Sequence, residues 1–260
     1  MTKRNNKAIC VIGDYKYLRK YLNRFVTQIR NEGNYIGEII VLTSIYTPVF
    51  LLKLKDKSNL RFIKFNKIKF DKKTDYELKT INTNGQPNRH IYKNFQWHKL
   101  HLFDEKLKHW KYIFYIDINM TIHKDINPIL DNTPNHLIFA NRDSNDRENW
   151  VLKDQFDTTH KKFKELNQKY NLLIKDYFQT GMLYFDTDII DYKTKDQILK
   201  LVESFPITRT NEQAILNLYF IFERNLYHQL PQRINNFTTY TYWTIDNNSR
   251  ITKQLVPPYK

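Results

Sequence analysis

Glycine and cysteine are scarce in this 260-residue chain, which has 5 glycines and a single cysteine, Cys10. Neither G-x-x-x-x-G-K-[ST] nor G-x-G-x-x-G occurs, so the P-loop and the Rossmann dinucleotide fingerprint are both absent. One cysteine cannot form an internal disulfide framework or a cysteine-rich zinc site. Any phosphate or metal chemistry must therefore use other residues.

Long apolar runs are also missing. The longest, residues 39–52, is interrupted by Thr43, Ser44 and Pro48 and is shorter than the ~20 residues of a membrane helix. The apolar stretch after the basic start covers only about five residues before Gly13, too short for a signal-peptide core. We therefore expect a soluble, cytoplasmic protein with no signal peptide and no transmembrane segment.

Acidic residues are outnumbered, with 27 Asp and Glu against 42 Lys and Arg, a net charge of +15. Such a charge attracts nucleotides, nucleic acids and acidic surfaces. Lys, Asn, Ile and Tyr are abundant together, as in AT-rich genomes, which is equally consistent with lysines that only solvate the surface. No compact basic helix or nucleic-acid-binding motif accompanies the charge, so nucleic acid is not an expected partner.

What the chain does contain is an alternation of apolar strands and amphipathic helices. Strands are predicted at residues 8–12, 38–42 and 60–65, with a helix that buries Leu18, Leu22, Phe25 and Ile29 between the first two. This order predicts a parallel βαβ sheet with right-handed crossovers. The remaining predicted elements are a loop at 67–89, an amphipathic helix at 97–110, strands at 112–116, 137–140 and 182–185, and helices at 195–203 and 211–222. With no repeat, linker or Pro/Gly-rich boundary, we expect one α/β domain over residues 1–260.

The most informative position is the end of the apolar run 112–116, which is typical of a central buried strand. Open α/β sheets bind ligands at the carboxyl ends of their strands. A strand period of two would place Asp117 and Asn119 on one side, with Ile118 pointing away. Two oxygen donors at this spacing can share Mg²⁺ or Mn²⁺. A polar strand end that only makes a turn is the alternative.

Several further motifs accompany Asp117-Ile118-Asn119, and together they are similar to the glycogenin-like, or family 8, group of GT-A glycosyltransferases. The resemblance covers nearly the whole chain in order. The matching segments are Gly13-Asp14-Tyr15, Lys99-Leu100-His101, Lys124-Asp125-Ile126, Asp176-Tyr177-Phe178-Gln179-Thr180-Gly181-Met182, Asn211-Glu212-Gln213-Ala214-Ile215-Leu216-Asn217, and Leu230-Pro231 followed by Asn235.

The resemblance implies a single GT-A-type Rossmann-like domain with a mixed, mostly parallel sheet flanked by helices. Its nucleotide-binding half would cover about residues 1–125 and its acceptor half about 126–260. It implies a metal-dependent enzyme that moves a hexose or related sugar, with retention, from a UDP-sugar to an unidentified glycan or protein acceptor. The implied cofactor is Mn²⁺ or Mg²⁺. A homodimer is left open.

The resemblance also implies roles for individual residues. Asp117 and Asn119 would hold the metal, and Lys99 would offset charge on the departing nucleoside diphosphate. The remaining implied site residues are Gly13, Asp14, Tyr15 and Ile118 for the nucleotide, Glu212 and Gln213 for the sugar face, and Asp176 and Gln179 for sugar hydroxyls or the acceptor.

Other interpretations stand beside these roles. Thr210-x-x-Gln213 is also a capping box, in which Gln213 would only close a helix end. Lys99 fits a solvated helix lysine as well.

The sequence departs from the family pattern at three points. Asn119 is a neutral amide where a second carboxylate is usual, and Glu212 stands where Asp is usual. The family's terminal H-x-x-G-x-x-K-P-W, which supplies a third metal ligand and a lysine for the phosphates, is not found. His228 is therefore a candidate metal ligand only by elimination.

Two other functions remain open at this point. A nucleotidyltransferase would need a further carboxylate for a second metal, and Asp143 or Asp186 is available. A non-catalytic sugar- or nucleotide-binding relative would explain Asn119 and the absent terminal motif.

Overall fold

The main sheet has seven strands in the order β3-β2-β1-β4-β7-β6-β8. The computed structural model describes residues 5–81, 94–144, 149–242 and 248–253. The strands of this sheet are β1 Asn5–Ile12, β2 Glu38–Ser44, β3 Leu60–Phe65, β4 Trp110–Ile116, β6 Ile138–Arg142, β7 Phe178–Asp186 and β8 Tyr227–Gln229. The first four strands in the sheet order are parallel, whereas β7 runs antiparallel to both of its neighbours. The predicted mixed, mostly parallel α/β sheet is confirmed.

Helices cover both faces of the sheet. They are α1 Tyr15–Asn31, α2 Lys72–Ile81, α3 Asn127–Asp131, α4 Phe163–Lys169, α5 Thr194–Ser204 and α6 Glu212–Asn217, which continues as a π-helical turn at Leu218–Glu223. The alternation along β1 shows the two-sided burial. Ala8 and Cys10 pack into one core, and Ile9 and Val11 pack into the other. Burial on both faces explains why these strands read as continuous apolar runs. No helix among the described residues is both long and apolar enough to cross a bilayer.

Two predicted segments differ from the structure. The helix predicted at 97–110 forms two 3₁₀ segments, Asn94–Phe103 and Glu105–His109. The side chain of Asp104 accepts a hydrogen bond from the Lys106 amide and starts the second segment, which divides the run. The loop predicted at 67–89 contains α2, which was missed because it buries only Thr74 and Leu78 and so lacks an apolar stripe. Residues 82–89 lie outside the described ranges.

A second, four-stranded sheet reaches the end of β4. Its strands are β5 Thr121–Ile122, β9 Arg233–Ile234, β10 Phe237–Tyr242 and β11 Ser249–Lys253, in the order β5-β11-β10-β9. The β5 strand follows Asp117 by only four residues. Because β11 pairs with β5, the last described residue of the chain lies beside the polar end of the central strand.

Candidate functional site

A cleft of about 540 Å³ opens at the carboxyl end of β4. It collects polar side chains from segments that are far apart in the sequence. Those that carry its chemistry are Lys99, Asp117, Asp143, Gln179, Glu212, Gln213 and Lys253. Five of them are among the site residues predicted from the sequence, so the motifs on both halves of the chain meet at one place.

Asp117 is held at the mouth of this cleft by a tight turn. Its backbone amide donates to the carbonyl of Gly181, 2.8 Å away, and its own carbonyl accepts from the amide of Met120 at 2.9 Å. A β-carbon at Gly181 would lie 2.7 Å from the Met120 Cε atom and 3.6 Å from the Asp117 Oδ2 atom. The absence of a side chain at residue 181 therefore leaves room for the end of the Met120 side chain beside Asp117.

The Asp117 carboxylate is surrounded by donors. Lys253 Nζ lies 2.8 Å from Oδ2, Lys99 Nζ lies 3.2 Å from Oδ1, and the Tyr115 hydroxyl donates to Oδ1 at 2.5 Å. Burial by itself would raise the pKa of Asp117, but the charges of Lys253 and Lys99 lower this pKa well below its ordinary value. Asp117 is therefore ionised at neutral pH, and both of its oxygens are engaged.

Lys99 lies in the 3₁₀ segment before β4, and its ammonium is buried among four acceptors. Besides Asp117 these are the Thr180 carbonyl at 3.0 Å, the Thr180 hydroxyl at 3.2 Å and Glu212 Oε1 at 3.1 Å. Burial by itself would lower the pKa of Lys99, but Asp117 and Glu212 raise it above its ordinary value. Lys99 is thus a buried cation of the site, and the interpretation as a solvated helix lysine is wrong.

Glu212 enters the cleft because the preceding backbone is unusual. Asn211 has φ 54° and ψ −124° and is held by the Thr208 hydroxyl, which donates to its carbonyl at 2.7 Å. Thr180 donates to Glu212 Oε1 at 2.9 Å. The other oxygen, Oε2, is buried and has no hydrogen-bond partner among the described residues. Glu212 therefore offers an unused acceptor at the cleft, which is costly unless a ligand satisfies it.

Gln213 is part of a side-chain network on the same wall. Its Nε2 atom donates to Asp143 Oδ2 and to Gln155 Oε1, both at 3.0 Å, and its Oε1 accepts from the Thr180 amide at 3.3 Å. The side chain of Thr210 has no hydrogen-bond partner among the described residues, so the alternative capping box is not formed. Burial raises the pKa of Asp143, an effect that the hydrogen bonds from Gln213 and Gln155 reduce.

The two residues assigned to sugar or acceptor contacts are separated. Gln179 is buried, lines the cleft, and accepts a hydrogen bond from the Tyr240 hydroxyl at 3.2 Å. Asp176 is exposed just before β7, where it accepts from the Tyr227 hydroxyl at 3.2 Å, and it does not line the cleft. The structure thus brings Gln179, but not Asp176, to Asp117.

Gly13, Asp14 and Tyr15 follow β1, whose carboxyl end lies beside that of β4 because the two strands are parallel neighbours. The Gly13 amide donates to the Leu42 carbonyl at 3.2 Å, and Asp14 caps α1 by accepting from the Tyr17 amide at 2.8 Å. Tyr15 lines a separate cleft of about 480 Å³ against residues 51–54. These residues are at the predicted sheet edge but outside the lining of the Asp117 cleft.

The strand alternation expected for Asp117, Ile118 and Asn119 is wrong. The strand ends at Ile116, and the chain turns at residues 118 and 119. Ile118 is buried, and Asn119 does not line the cleft.

The groups around Asp117 do not fit a divalent cation. Each carboxylate oxygen already faces an ammonium. Two unit charges 4 Å apart repel by about 4 kcal/mol at an effective dielectric constant of about 20, and a divalent ion beside Lys253 would double that figure. Asp117 is therefore a site for ammonium groups and not for a divalent cation.

Another acidic group has metal-like spacing, but it lies elsewhere. Within the described ranges, His136, Asp186 and Asp188 place one ligand atom each within 4.8 Å of one another. Asp186 pairs with Tyr112 across the β4–β7 ladder, so this cluster lies at the opposite end of β4. Lys111 forms ion pairs of 2.9 and 2.5 Å with the two aspartates. The candidate ligand His228 is exposed on β8 and does not line the Asp117 cleft.

Lys253 is the site residue that sequence reasoning missed. It is 136 residues from Asp117 in the chain and belongs to no motif. Only the pairing of β11 with β5 and β10 brings the two together. The sequence contained no local signal for this contact.

Comparisons with known proteins find similarity only in three dimensions. No family model matches the chain, and no curated protein matches its sequence. The galactosyltransferase LgtC, solved with donor and acceptor sugar analogues, is similar with a TM-score of 0.55 at 14% identity over 96% of this chain and 87% of that chain. An active-site mutant of LgtC gives a TM-score of 0.59 at 14% identity over 96% and 88% of the two chains. Mouse xyloside xylosyltransferase 1 gives 0.54 at 9% identity over 98% and 99%.

These similarities extend over almost the whole chain and almost the whole of each neighbour. At such low identity they establish the fold. The protein has the mixed α/β fold of the GT-A glycosyltransferases.

Proposed function

We propose that the protein is a glycosyltransferase that uses a UDP-sugar or closely related nucleotide-sugar donor and transfers a hexose or similar sugar to a glycan or protein acceptor. The observation that carries this proposal is the composition of the Asp117 cleft. The cleft holds two ammonium groups, Lys99 and Lys253, next to the hydrogen-bonding groups of Glu212 and Gln213. A nucleoside diphosphate joined to a sugar likewise has an anionic part next to a hydroxyl-rich part.

In the proposed reaction, the bond between the anomeric carbon and the diphosphate oxygen breaks, and a bond from an acceptor hydroxyl oxygen to that carbon forms. The acceptor hydroxyl loses its proton, which passes overall to the departing diphosphate or to water. Negative charge develops on the departing diphosphate, where the ammonium groups of Lys253 and Lys99 would stabilise it. These groups are already fixed by Asp117, so little reorganisation is needed.

Glu212 and Gln213 would hold the sugar. Glu212 Oε2, buried and without a partner among the described residues, would accept a hydrogen bond from a sugar hydroxyl. The amide of Gln213 and the carboxyl of Asp143, already hydrogen-bonded to each other, would fix the sugar's orientation. A polar site that is left unsatisfied without its substrate hydroxyls discriminates strongly against analogues that lack them.

The finer predictions from the motifs stay predictions. They are membership of family 8 and transfer with retention. A Mn²⁺ or Mg²⁺ ion on Asp117 and Asn119 is not part of this proposal, because both oxygens of Asp117 face lysine ammonium groups. A nucleotidyltransferase gains little support, because it would need a second carboxylate free to hold a metal. Asp143 accepts hydrogen bonds from the amides of Gln213 and Gln155. Asp186 lies at the opposite end of β4.

The test is a donor screen with UDP-glucose, UDP-galactose, their N-acetyl forms and UDP-xylose, with and without simple sugar acceptors. We expect release of UDP from at least one donor, and loss of that release in Glu212→Gln. Glu203→Gln, an exposed change on α5, serves as the matched control. Release of pyrophosphate from nucleoside triphosphates, with no UDP from any donor, would support a nucleotidyltransferase instead.

A further inference from the structure

Lys253 and Lys99 both contact Asp117, but their surroundings differ. Lys99 has four acceptors, and 9% of its side chain is exposed. Lys253 has 19% of its side chain exposed and a single hydrogen-bond acceptor among the described residues, Asp117 Oδ2. An ammonium group has three donors. Lys253 therefore has donors left for a ligand in the cleft, whereas Lys99 has none.

The position of Lys253 is fixed by its strand. The β11 strand lies between β5 and β10, with Thr252 opposite Thr121 and Lys253 opposite Tyr242. The Lys253 ammonium lies 5.3 Å from the centre of the Tyr242 ring, which also lines the cleft. Backbone pairing on both sides and the ion pair with Asp117 hold the ammonium at the mouth of the cleft before any ligand arrives.

Asp117 fits the role of an anchor for this lysine. Its charge balances Lys253 on one oxygen, while Lys99 and Tyr115 occupy the other. A carboxylate in this role fixes the position of the ammonium group, so that the ammonium can bind a ligand in the cleft. The positive charge that faces the ligand is then that of Lys253 and not that of a bound metal ion.

We propose that Lys253 binds the diphosphate of the donor directly and that the cleft binds its nucleotide without a divalent cation. This inference rests on the proposed function, since it concerns the same donor. The spare donors of Lys253 would bond oxygens of the diphosphate, with Lys99 behind Asp117 adding positive charge. Charge-assisted hydrogen bonds of this kind are about twice as strong as neutral ones.

The experiment is calorimetric titration of the purified full chain with UDP, once in EDTA and once with Mn²⁺. The variants are Lys253→Met, Lys253→Arg and, as a matched control, Lys164→Met, an exposed lysine on α4. We expect wild-type affinity for UDP to agree within about twofold in the two buffers. Lys253→Met should weaken UDP binding by about tenfold or more, because a charged hydrogen bond is lost, and Lys253→Arg should retain most of it. Uridine, which lacks the diphosphate, should bind wild type and Lys253→Met alike.

The outcomes separate the two proposals. UDP binding that requires Mn²⁺ and is unchanged in Lys253→Met overturns the inference but leaves the proposed function in place. Absence of UDP binding in both buffers contradicts the proposed function itself. If Lys253→Met does not fold, the comparison of EDTA with Mn²⁺ on the wild-type chain still decides whether a divalent cation is needed.

Discussion

Replacing Lys99 by methionine is expected to be strongly destabilising. The variant keeps much of the side-chain volume but leaves Asp117 and Glu212, both at least four-fifths buried, without the cation between them. Removing one partner of a buried ion pair costs about 3–5 kcal/mol. Domains of this size lose about 2–4 °C of melting temperature per kcal/mol. We therefore expect a decrease of about 6–20 °C.

The measurement is urea unfolding followed by circular dichroism, with a thermal melt as a check. Lys195→Met is the matched control, because Lys195 forms a partly exposed pair with Asp104 at 3.0 Å. Pairs of that kind contribute about 0–1 kcal/mol. Adding Glu212→Gln to Lys99→Met should restore part of the lost stability, since it removes one of the uncompensated charges. A loss in Lys99→Met no larger than in Lys195→Met would refute the buried cation cluster.

Three further predictions concern the same cleft. Gly181→Ala should cost at most about 1 kcal/mol in urea unfolding, because its β-carbon would meet Met120 only at Cε, the flexible end of that buried side chain, at 2.7 Å; a loss of about 3 kcal/mol would contradict this packing. Asp143→Asn should match wild type in stability below the ordinary carboxyl pKa of 3.8 and exceed it as pH rises. The reason is that burial raises the pKa of Asp143 in the folded state. The wild-type protein therefore loses stability as pH rises through that pKa, whereas Asp143→Asn does not titrate. Asp117→Asn should show the opposite sign, with the wild-type advantage complete above pH 3.8 and lost as pH falls, because the folded-state pKa is lowered.

The central sheet could be predicted from the sequence because its strands are buried on both faces. Residues 112–116 form an apolar run that only a central strand or a buried helix would tolerate, and the structure has β4 there. The helical segments were harder to predict. Residues 97–110 have helical spacing, yet Asp104 caps a new segment and divides the run. The apolar period marks the face that packs, and it does not distinguish α from 3₁₀ geometry.

The candidate site was predictable where its residues belong to local motifs. Asp117, Glu212 and Gln213 were placed by their neighbours in sequence, and the structure brings them into one cleft. The prediction for Asn119 is wrong because it continues the two-residue period of the strand beyond Ile116, where β4 ends and the chain turns. Lys253 was not foreseen at all. Its position depends on the pairing of β5 and β10 with β11. The register between strands that are far apart in the chain cannot be predicted from a local sequence pattern.

The most direct test of the whole account is a crystal structure of the protein with UDP bound. We expect the diphosphate to lie in the Asp117 cleft, with an oxygen within about 3 Å of the Lys253 Nζ atom. A nucleotide bound elsewhere, for instance in the separate cleft lined by Tyr15, would contradict the assignment of the donor site.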